Sequence, residues 1–203
     1  MDFVIYLIRH GKTLATEKNL YCGASDIDLT RKGKKEILTF KNKDIYPKCD
    51  AFFASELKRS INTLKLMYGD EIEYKAFSTL NEQNLGQLDM KSYDDIKNSP
   101  LYKAWLSDMT GDVKCPNGES LNQFRLRVKL GFHRLIEDIK SNDRKNAVLV
   151  THGGVISVIM GSIFSNKKSY KEWQPLHGLG YTLHYDGKNF VNYSSINART
   201  DFV

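Results

Sequence analysis

The chain has 203 residues, enough for one domain with a core of its own. Hydrophobic residues at 41% and charged residues at 27% exclude a disordered chain. The net charge of +6 comes from scattered basic residues, with no run longer than two (as at Lys34 and Lys35), whereas a nucleic-acid-binding arm shows a block; no nucleic-acid partner is expected.

Phe3 to Ile8 (FVIYLI) is a continuous apolar, β-branched and aromatic run, the mark of a strand buried on both faces. It ends too soon for a secretory signal, and no stretch reaches the roughly 18 apolar residues of a membrane span. Ala51 to Ala54 is a shorter run of the same kind. Leu57, Ile61, Leu64 and Tyr68 then fall at helical spacing. Leu121, Phe124, Val128, Phe132, Leu135 and Ile139 do so over a longer stretch, and Ser120 with Gln123 has the pattern of a capping box. Ala147 to Val150 reads as a third buried strand, and Val155 to Ile163, apolar nearly all round, as a buried helix. Tyr181 to Tyr185 and Phe190 to Tyr193 flank Asp186-Gly187, a hairpin turn.

This order predicts an α/β fold: a three-layer α/β/α sandwich with a mostly parallel central sheet, an antiparallel edge and a small helical cap. One domain spans 1–203, with a cap-like insertion around 90–116. Tyr93, Tyr102 and Trp105 in that insertion either line a pocket or pack a small lobe. Cys22, Cys49 and Cys115 are odd in number and far apart, which fits neither a disulfide framework nor a zinc site. Reduced thiols and a cytoplasmic location are the expectation.

In open α/β sheets ligands bind beyond the carboxyl ends of the strands. The first strand runs into Arg9-His10-Gly11-Lys12-Thr13. A P-loop needs a glycine five residues before Gly11, where Tyr6 stands, and a loop that is missing here. The third buried strand ends in Thr151-His152-Gly153-Gly154, and the second in Ser55, with Arg59 in the first turn of the next helix. Taken singly, each residue is ordinary. A strand-end histidine is commonly just hydrogen-bonded, and Arg59, two residues from both Leu57 and Ile61, sits off the apolar face as a solvated side chain. Jointly they bring two histidines and two guanidinium forks to one sheet edge, and a helix starting at Gly153 aims free N–H groups at the same spot. That set reads as a phosphate pocket.

Leu7-Ile8-Arg9-His10-Gly11-Lys12-Thr13 resembles the "RHG" signature of the histidine phosphatase superfamily, the phosphoglycerate-mutase-like proteins. Five further stretches resemble that family's segments in order: Tyr21 to Gly33 (with Asp28-Leu29-Thr30), Ser55-Glu56-Leu57-Lys58-Arg59-Ser60, Leu80-Asn81-Glu82-Gln83-Asn84-Leu85-Gly86, Asn117-Gly118-Glu119-Ser120 and Val150-Thr151-His152-Gly153-Gly154. The resemblance implies that His10 is the nucleophile, taking the phosphoryl group as a phosphohistidine. It implies that Arg9, Arg59 and His152 hold the phosphate oxygens, with Gly23 and Gly153 beside them. Glu82 is then the proton donor to the leaving group and afterwards the base toward water. Two arginines and a second histidine stand in for the metal ions of other phosphatases, so neither metal nor cofactor is expected. His177, in Pro175-Leu176-His177-Gly178, is a candidate border of the pocket; His133 and His184 read as surface residues.

There are departures from the pattern. Thr16 stands where the family commonly has an asparagine that touches phosphate. Asp89-Met90 replaces a common Glu-Gly, and Lys12 replaces a glutamate, adding positive charge beside the pocket. Phosphoglycerate mutases resemble this chain but are longer, and they carry an Arg-Arg pair and a segment "L-N-E-R-x-Y-G"; here that segment reads LNEQNLG and no Arg-Arg pair occurs. The expected activity is therefore hydrolysis of a small phosphorylated metabolite, with mutase activity as the alternative. Tyr21-Cys22-Gly23 and the stretch from Asn117 to Val128 resemble the α-ribazole phosphatases, which makes α-ribazole 5′-phosphate the named candidate substrate. A non-catalytic phosphate-binding protein is a further alternative, set against by the presence of all five residues. A homodimer is left open.

Overall fold

The run Phe3 to Ile8 has no polar face to offer water, and it folds into the interior of a sheet. The computed structural model describes residues 1–164 and 167–197. Its six strands are β1 (Phe3–Arg9), β2 (Ala51–Ser55), β3 (Lys75–Phe77), β4 (Asn146–Thr151), β5 (Gly180–Tyr185) and β6 (Phe190–Ile196). They lie in the spatial order β3-β2-β4-β1-β5-β6. The first four in that order are mutually parallel, and β5 and β6 form an antiparallel hairpin at one edge. Asp186 shapes the hairpin turn by accepting from the backbone N–H groups of Lys188 and Asn189.

Helices cover both faces. One face carries α6 (Leu121–Ser141) and α7 (Gly153–Ile163), whose Phe124, Val128, Leu135, Ile156 and Ile159 pack on Ile5, Leu7 and Leu149. The other carries α2 (Arg31–Asn42) and α3 (Lys58–Tyr68), whose Ile37, Leu64 and Met67 pack on Ile8, Val148 and Val150. The fold is thus the three-layer α/β/α sandwich with a mostly parallel sheet and an antiparallel edge. Each fully buried aliphatic or aromatic side chain contributes about 1.5–3 kcal/mol. The capping box of α6 forms as its sequence predicts: Ser120 Oγ accepts from Gln123 N, and the Gln123 side chain accepts from Ser120 N.

Three further helices are short: α1 (Leu14–Glu17), α4 (Tyr93–Ile96) and α5 (Pro100–Leu106). The last two fall in the stretch 90–116. There Leu85, Leu88, Ile96, Tyr102 and Cys115 form a separate apolar cluster, flanked by Tyr21 and Trp105. The Tyr21 and Tyr102 hydroxyls share a hydrogen bond of 2.7 Å, which together with burial pushes Tyr21 up to about 12. Tyr102 is therefore a packing residue. Trp105 both packs and lines the neighbouring cleft, whereas Tyr93 is exposed and lines nothing. No helix among the described residues is long and apolar enough to cross a membrane.

Strand register positions the functional residues. Arg9 is level with Thr151 across the β1–β4 pair, and Ala54 is level with Val150 across β2–β4. The His10 N–H continues the ladder to Thr151 O at 2.8 Å. The next residues of three strands, His10, His152 and the Ser55–Arg59 segment, therefore emerge side by side at one edge.

Candidate active site

His10 lies buried at this edge, with its Nδ1 at 2.7 Å from Gly11 O. A carbonyl only accepts, so Nδ1 carries the proton and Nε2 carries the lone pair. No described residue hydrogen-bonds to that Nε2. Burial is the largest influence holding His10 well below the usual histidine range, followed by the Arg59 charge, His177 and Arg9. These influences favour the neutral imidazole.

Arg59 corrects the reading of a solvated side chain: it is only 1% exposed. Nη1 donates to Ser25 O at 2.6 Å, Nη2 to Gly23 O at 2.7 Å and Nε to His152 Nδ1 at 3.3 Å. A guanidinium has five N–H donors, so two remain uncommitted. Gly23 is required where it stands, because a Cβ there would lie 2.1 Å from Gln83 O. Asp89 holds the same turn, accepting from Gly23 N at 2.7 Å and Ser25 N at 2.8 Å. Its neighbour Met90 takes φ +58°, a region that favours glycine, so the Asp89-Met90 departure leaves a strained backbone at this turn.

Arg9 crosses the start of α7. Its Nη1 donates to Pro175 O at 3.0 Å, and its Nε is buried with no partner among the described residues. A Cβ on Gly153 would lie 3.1 Å from the Arg9 Cζ, so glycine here lets the guanidinium sit close over the helix N-terminus without shifting. His152 engages both ring nitrogens: Nδ1 accepts from Arg59 Nε, and Nε2 donates to Ser55 Oγ at 2.8 Å. Burial, then Arg59, hold it neutral. Its ring centroid is 5.1 Å from that of His10.

Glu82 reaches the site from the loop after Leu80. Its Oε2 accepts from Gly154 N at 2.9 Å, at the start of α7, and its Oε1 from Gln83 N at 2.9 Å. The loop itself is held by Arg127 of α6, whose Nη1 donates to Thr79 O and Asn81 O at 3.0 Å each and whose Nη2 donates to Glu82 O at 3.2 Å. Glu119 fixes Arg127 through two charge-assisted contacts and also accepts from Asn84 N at 2.9 Å. Sequence reasoning missed this role of Arg127; the signal was an arginine on α6 three positions from Phe124, and so on the same side of the helix as that buried residue, and next to Val128.

His177 does border the site. Its Nδ1 donates to His10 O at 3.0 Å, and its Nε2 accepts from Thr16 Oγ1 at 3.4 Å. Thr16 is thus brought next to His177 and also closes the cap of α1 with Thr13. Lys12 corrects the expectation of added charge at the pocket: its Nζ pairs with Glu36 of α2 at 2.9 Å. His133 and His184 are exposed on α6 and β5, as expected. A cleft of about 570 Å³ opens beside these groups, lined by Arg9, Glu82 and Gly154 and walled by Tyr21, Leu85 and Trp105. A larger hollow of about 770 Å³ around the amino-terminal ends of β2 and β3 has no histidine in its lining among the described residues.

Two outcomes follow from this geometry. His10, His152 and His177 are all held below the unfolded value of about 6.5, with His177 at about 4 through burial and Arg9. As pH falls below that value the unfolded chain takes up protons that the fold refuses, so stability is full above it and declines on acidification. Tm measured by calorimetry should drop by about 5 °C or more between pH 7.5 and 5.0; an unchanged Tm contradicts neutral buried histidines. Arg127→Lys removes the fork that holds the Glu82 loop. It should cost about 2–3 kcal/mol in urea unfolding and lower kcat about tenfold or more with KM little changed; kcat at the wild-type value contradicts the positioning role.

Comparison with known proteins accounts for this arrangement. The adenosylcobalamin/α-ribazole phosphatase of Salmonella typhimurium is 30% identical over 164 residues, 79% of each chain. A 2,3-bisphosphoglycerate-dependent phosphoglycerate mutase of Bartonella bacilliformis is 31% identical over 170 residues, 79% of this chain and 81% of its own. The crystal structure of the α-ribazole phosphatase from Shigella flexneri superposes with a TM-score of 0.77 at 25% identity, covering 89% of this chain and 90% of that one. The model of the histidine phosphatase superfamily, branch 1, matches residues 5–191, from the middle of β1 into β6. With His10, Arg9, Arg59, Glu82 and His152 gathered at one sheet edge inside that match, the chain belongs to branch 1 of the histidine phosphatase superfamily.

Proposed function

We propose that this chain is a phosphomonoester hydrolase that works without a metal ion and passes the phosphoryl group through His10 Nε2. One observation carries the reading. Arg59 is buried and Arg9 is half-buried where it lines the cleft, and among the described residues neither forms an ion pair with a carboxylate. Buried charge without a partner is costly, and a phosphate dianion is the partner that suits two forks flanking a neutral imidazole.

In the first half-reaction the Nε2 lone pair attacks phosphorus in line, and the phosphorus–oxygen bond to the leaving group breaks. Glu82 gives its proton to the departing alkoxide. The Nδ1–H bond to Gly11 O steadies the positive charge that develops on the His10 ring. The two free N–H groups of Arg59, the Arg9 Nε and the α7 N-terminus face the equatorial oxygens. His152 joins them by taking on Nδ1 the proton that a phosphate monoester monoanion brings in, which releases Arg59 Nε toward the resulting dianion. In the second half-reaction Glu82 takes a proton from water, the hydroxide attacks phosphorus, and the bond to Nε2 breaks, leaving inorganic phosphate.

α-Ribazole 5′-phosphate is the substrate favoured by the Salmonella relative and by the aromatic and apolar wall of Tyr21, Leu85 and Trp105, which suits an aromatic riboside as leaving group. Free thiols at all three cysteines fit a cytoplasmic setting. The Bartonella relative favours a second reading, phosphoryl return to another hydroxyl as in a mutase. Against it, Gln83 and Leu85 replace the arginine and tyrosine of the mutase segment, and both are nearly buried, Leu85 among apolar neighbours. A substrate carboxylate finds no cation there.

Wild-type protein should hydrolyse p-nitrophenyl phosphate equally well in excess chelator, and should trap an acid-labile phosphoryl label. His10→Ala should lose the label and at least about 1,000-fold in kcat; label kept in that variant, or activity lost to the chelator, contradicts the mechanism. Glu82→Gln should slow alkyl phosphates about 100-fold or more and p-nitrophenyl phosphate less than about tenfold, because nitrophenolate leaves without a proton. Equal slowing of both contradicts the acid role.

A further inference from the structure

Glu82 does not face the cleft alone. Tyr170 lies in the segment after α7, and its ring forms a wall of the same cleft. The residue is 37% exposed, yet its hydroxyl points inward: a Cβ on Gly154 would lie 2.8 Å from Tyr170 Oη and 2.3 Å from Glu82 Oε1. Both oxygens thus stand over one bare Cα at the start of α7. They do not bond to each other. Glu82 accepts from Gln83 N and Gly154 N, and the Tyr170 hydroxyl has no partner among the described residues. Hydrogen bonds of about 2.8 Å on either side of one shared water span such a gap.

The segment around Tyr170 is fixed on both sides. Trp173 is fully buried in the main core, edge-on to Tyr181 and Tyr193. Glu172 accepts from Ser169 N and Ser169 Oγ, and Trp173 N donates to Ser169 O at 3.2 Å. Two residues beyond Trp173, Pro175 O receives Arg9. The hydroxyl is therefore delivered to Glu82 by a short turn anchored in the core. Burial, then the charge of Glu82, push the phenol well above its usual range, so it stays protonated near neutral pH.

We propose that Tyr170 Oη is the second anchor of the hydrolytic water, and that it makes the phosphoenzyme choose water over an alcohol. The inference rests on the hydrolase reading and adds a residue to its second half-reaction. Glu82 serves the leaving oxygen first and the water afterwards, so both oxygens occupy the space beside its carboxylate. The ester oxygen is placed by its bond to phosphorus. Water has no such tether, and two contacts are needed to aim its lone pair. One hydrogen goes to Glu82 Oε1 and the other to Tyr170 Oη, since a phenol oxygen accepts as well as donates. As the oxygen–phosphorus bond forms, the first hydrogen passes to Glu82 as a proton. The phosphorus–Nε2 bond breaks and its electron pair returns to His10, while the second hydrogen stays on the new phosphate oxygen. An alcohol carries carbon where water carries that second hydrogen, so it cannot donate to both anchors.

Tyr170→Phe keeps the ring and removes the oxygen. The test follows p-nitrophenyl phosphate in buffer containing methanol. Nitrophenol counts the phosphoryl groups taken, and inorganic phosphate counts those given to water. The nitrophenol-to-phosphate ratio should stay near one for the wild-type chain and rise about twofold or more in the variant, as methyl phosphate forms. Radiolabelled phosphoenzyme, chased with unlabelled ester in the absence of methanol, should decay about fivefold more slowly in the variant, the loss expected for one hydrogen bond. Its kcat/KM, which reports only formation of the phosphoenzyme from this ester, should stay within about twofold. A ratio or a decay rate that matches the wild type, or kcat/KM falling as far as the decay rate, overturns the role of Tyr170. A wild-type chain that forms no labelled phosphoenzyme, or that releases no inorganic phosphate, overturns the hydrolase reading beneath it.

Discussion

A buried Arg59 and a half-buried Arg9, neither in an ion pair with a carboxylate among the described residues, are the constraint around which this site is arranged. Placing Arg59 in the interior requires that carbonyl groups take the place of water, and the chain supplies Gly23 O and Ser25 O from a turn that closes only because residue 23 has no side chain. That turn in turn needs Asp89 to hold its N–H groups, and Met90 carries the left-handed backbone that follows. Arg9 needs Gly153 beneath it and Pro175 O beside it. Each of these devices positions positive charge while leaving some donors free, and an anion at the strand ends is what makes the cost of burying them tolerable.

The neutral imidazoles belong to the same electrostatic balance. With two arginines this close, a protonated His10 would add like charge in a poorly solvated place, so burial and the arginines together keep its lone pair available. Gly11 O then selects which nitrogen bears the proton, and hence which one keeps the lone pair. Glu82 is drawn in among these cations, held by a helix N–H at one oxygen and its own loop at the other. Behind it, Arg127 and Glu119 form an ion pair from which Arg127 holds the backbone carbonyls of Thr79, Asn81 and Glu82 in one loop.

Much of this was legible in the residues. The buried strands, the capped helix α6 and the buried α7 announce themselves through continuous apolar runs and one capping box, and the strand-end rule then gathers Arg9, His10, Arg59 and His152. Arg59 itself was misread as a single residue, because spacing along a helix measures its distance from the apolar face and says nothing of a polar interior. Helix α2 escaped because only Gly33 and Ile37 of its twelve residues are buried, so charged residues dominate its pattern. Strand β3 is three residues at a sheet edge with two of them exposed, too short for any periodicity. Lys12 turned away to Glu36, a partner 24 positions distant that no local pattern shows. Tyr170 lies outside every motif; its place beside Glu82 depends on the path of the loop after α7.

The central claim is that His10 stands ready as a neutral, Nδ1-protonated imidazole in a cationic pocket that awaits phosphate. Nitrogen-15 NMR of the histidine-labelled protein at neutral pH reads it directly. The account predicts a proton on His10 Nδ1 and a bare Nε2 in the free protein, with added inorganic phosphate shifting His10 and protonating His152 while His133 and His184 stay unmoved. A doubly protonated His10 in the free protein, or phosphate that leaves both buried rings unchanged, would contradict it.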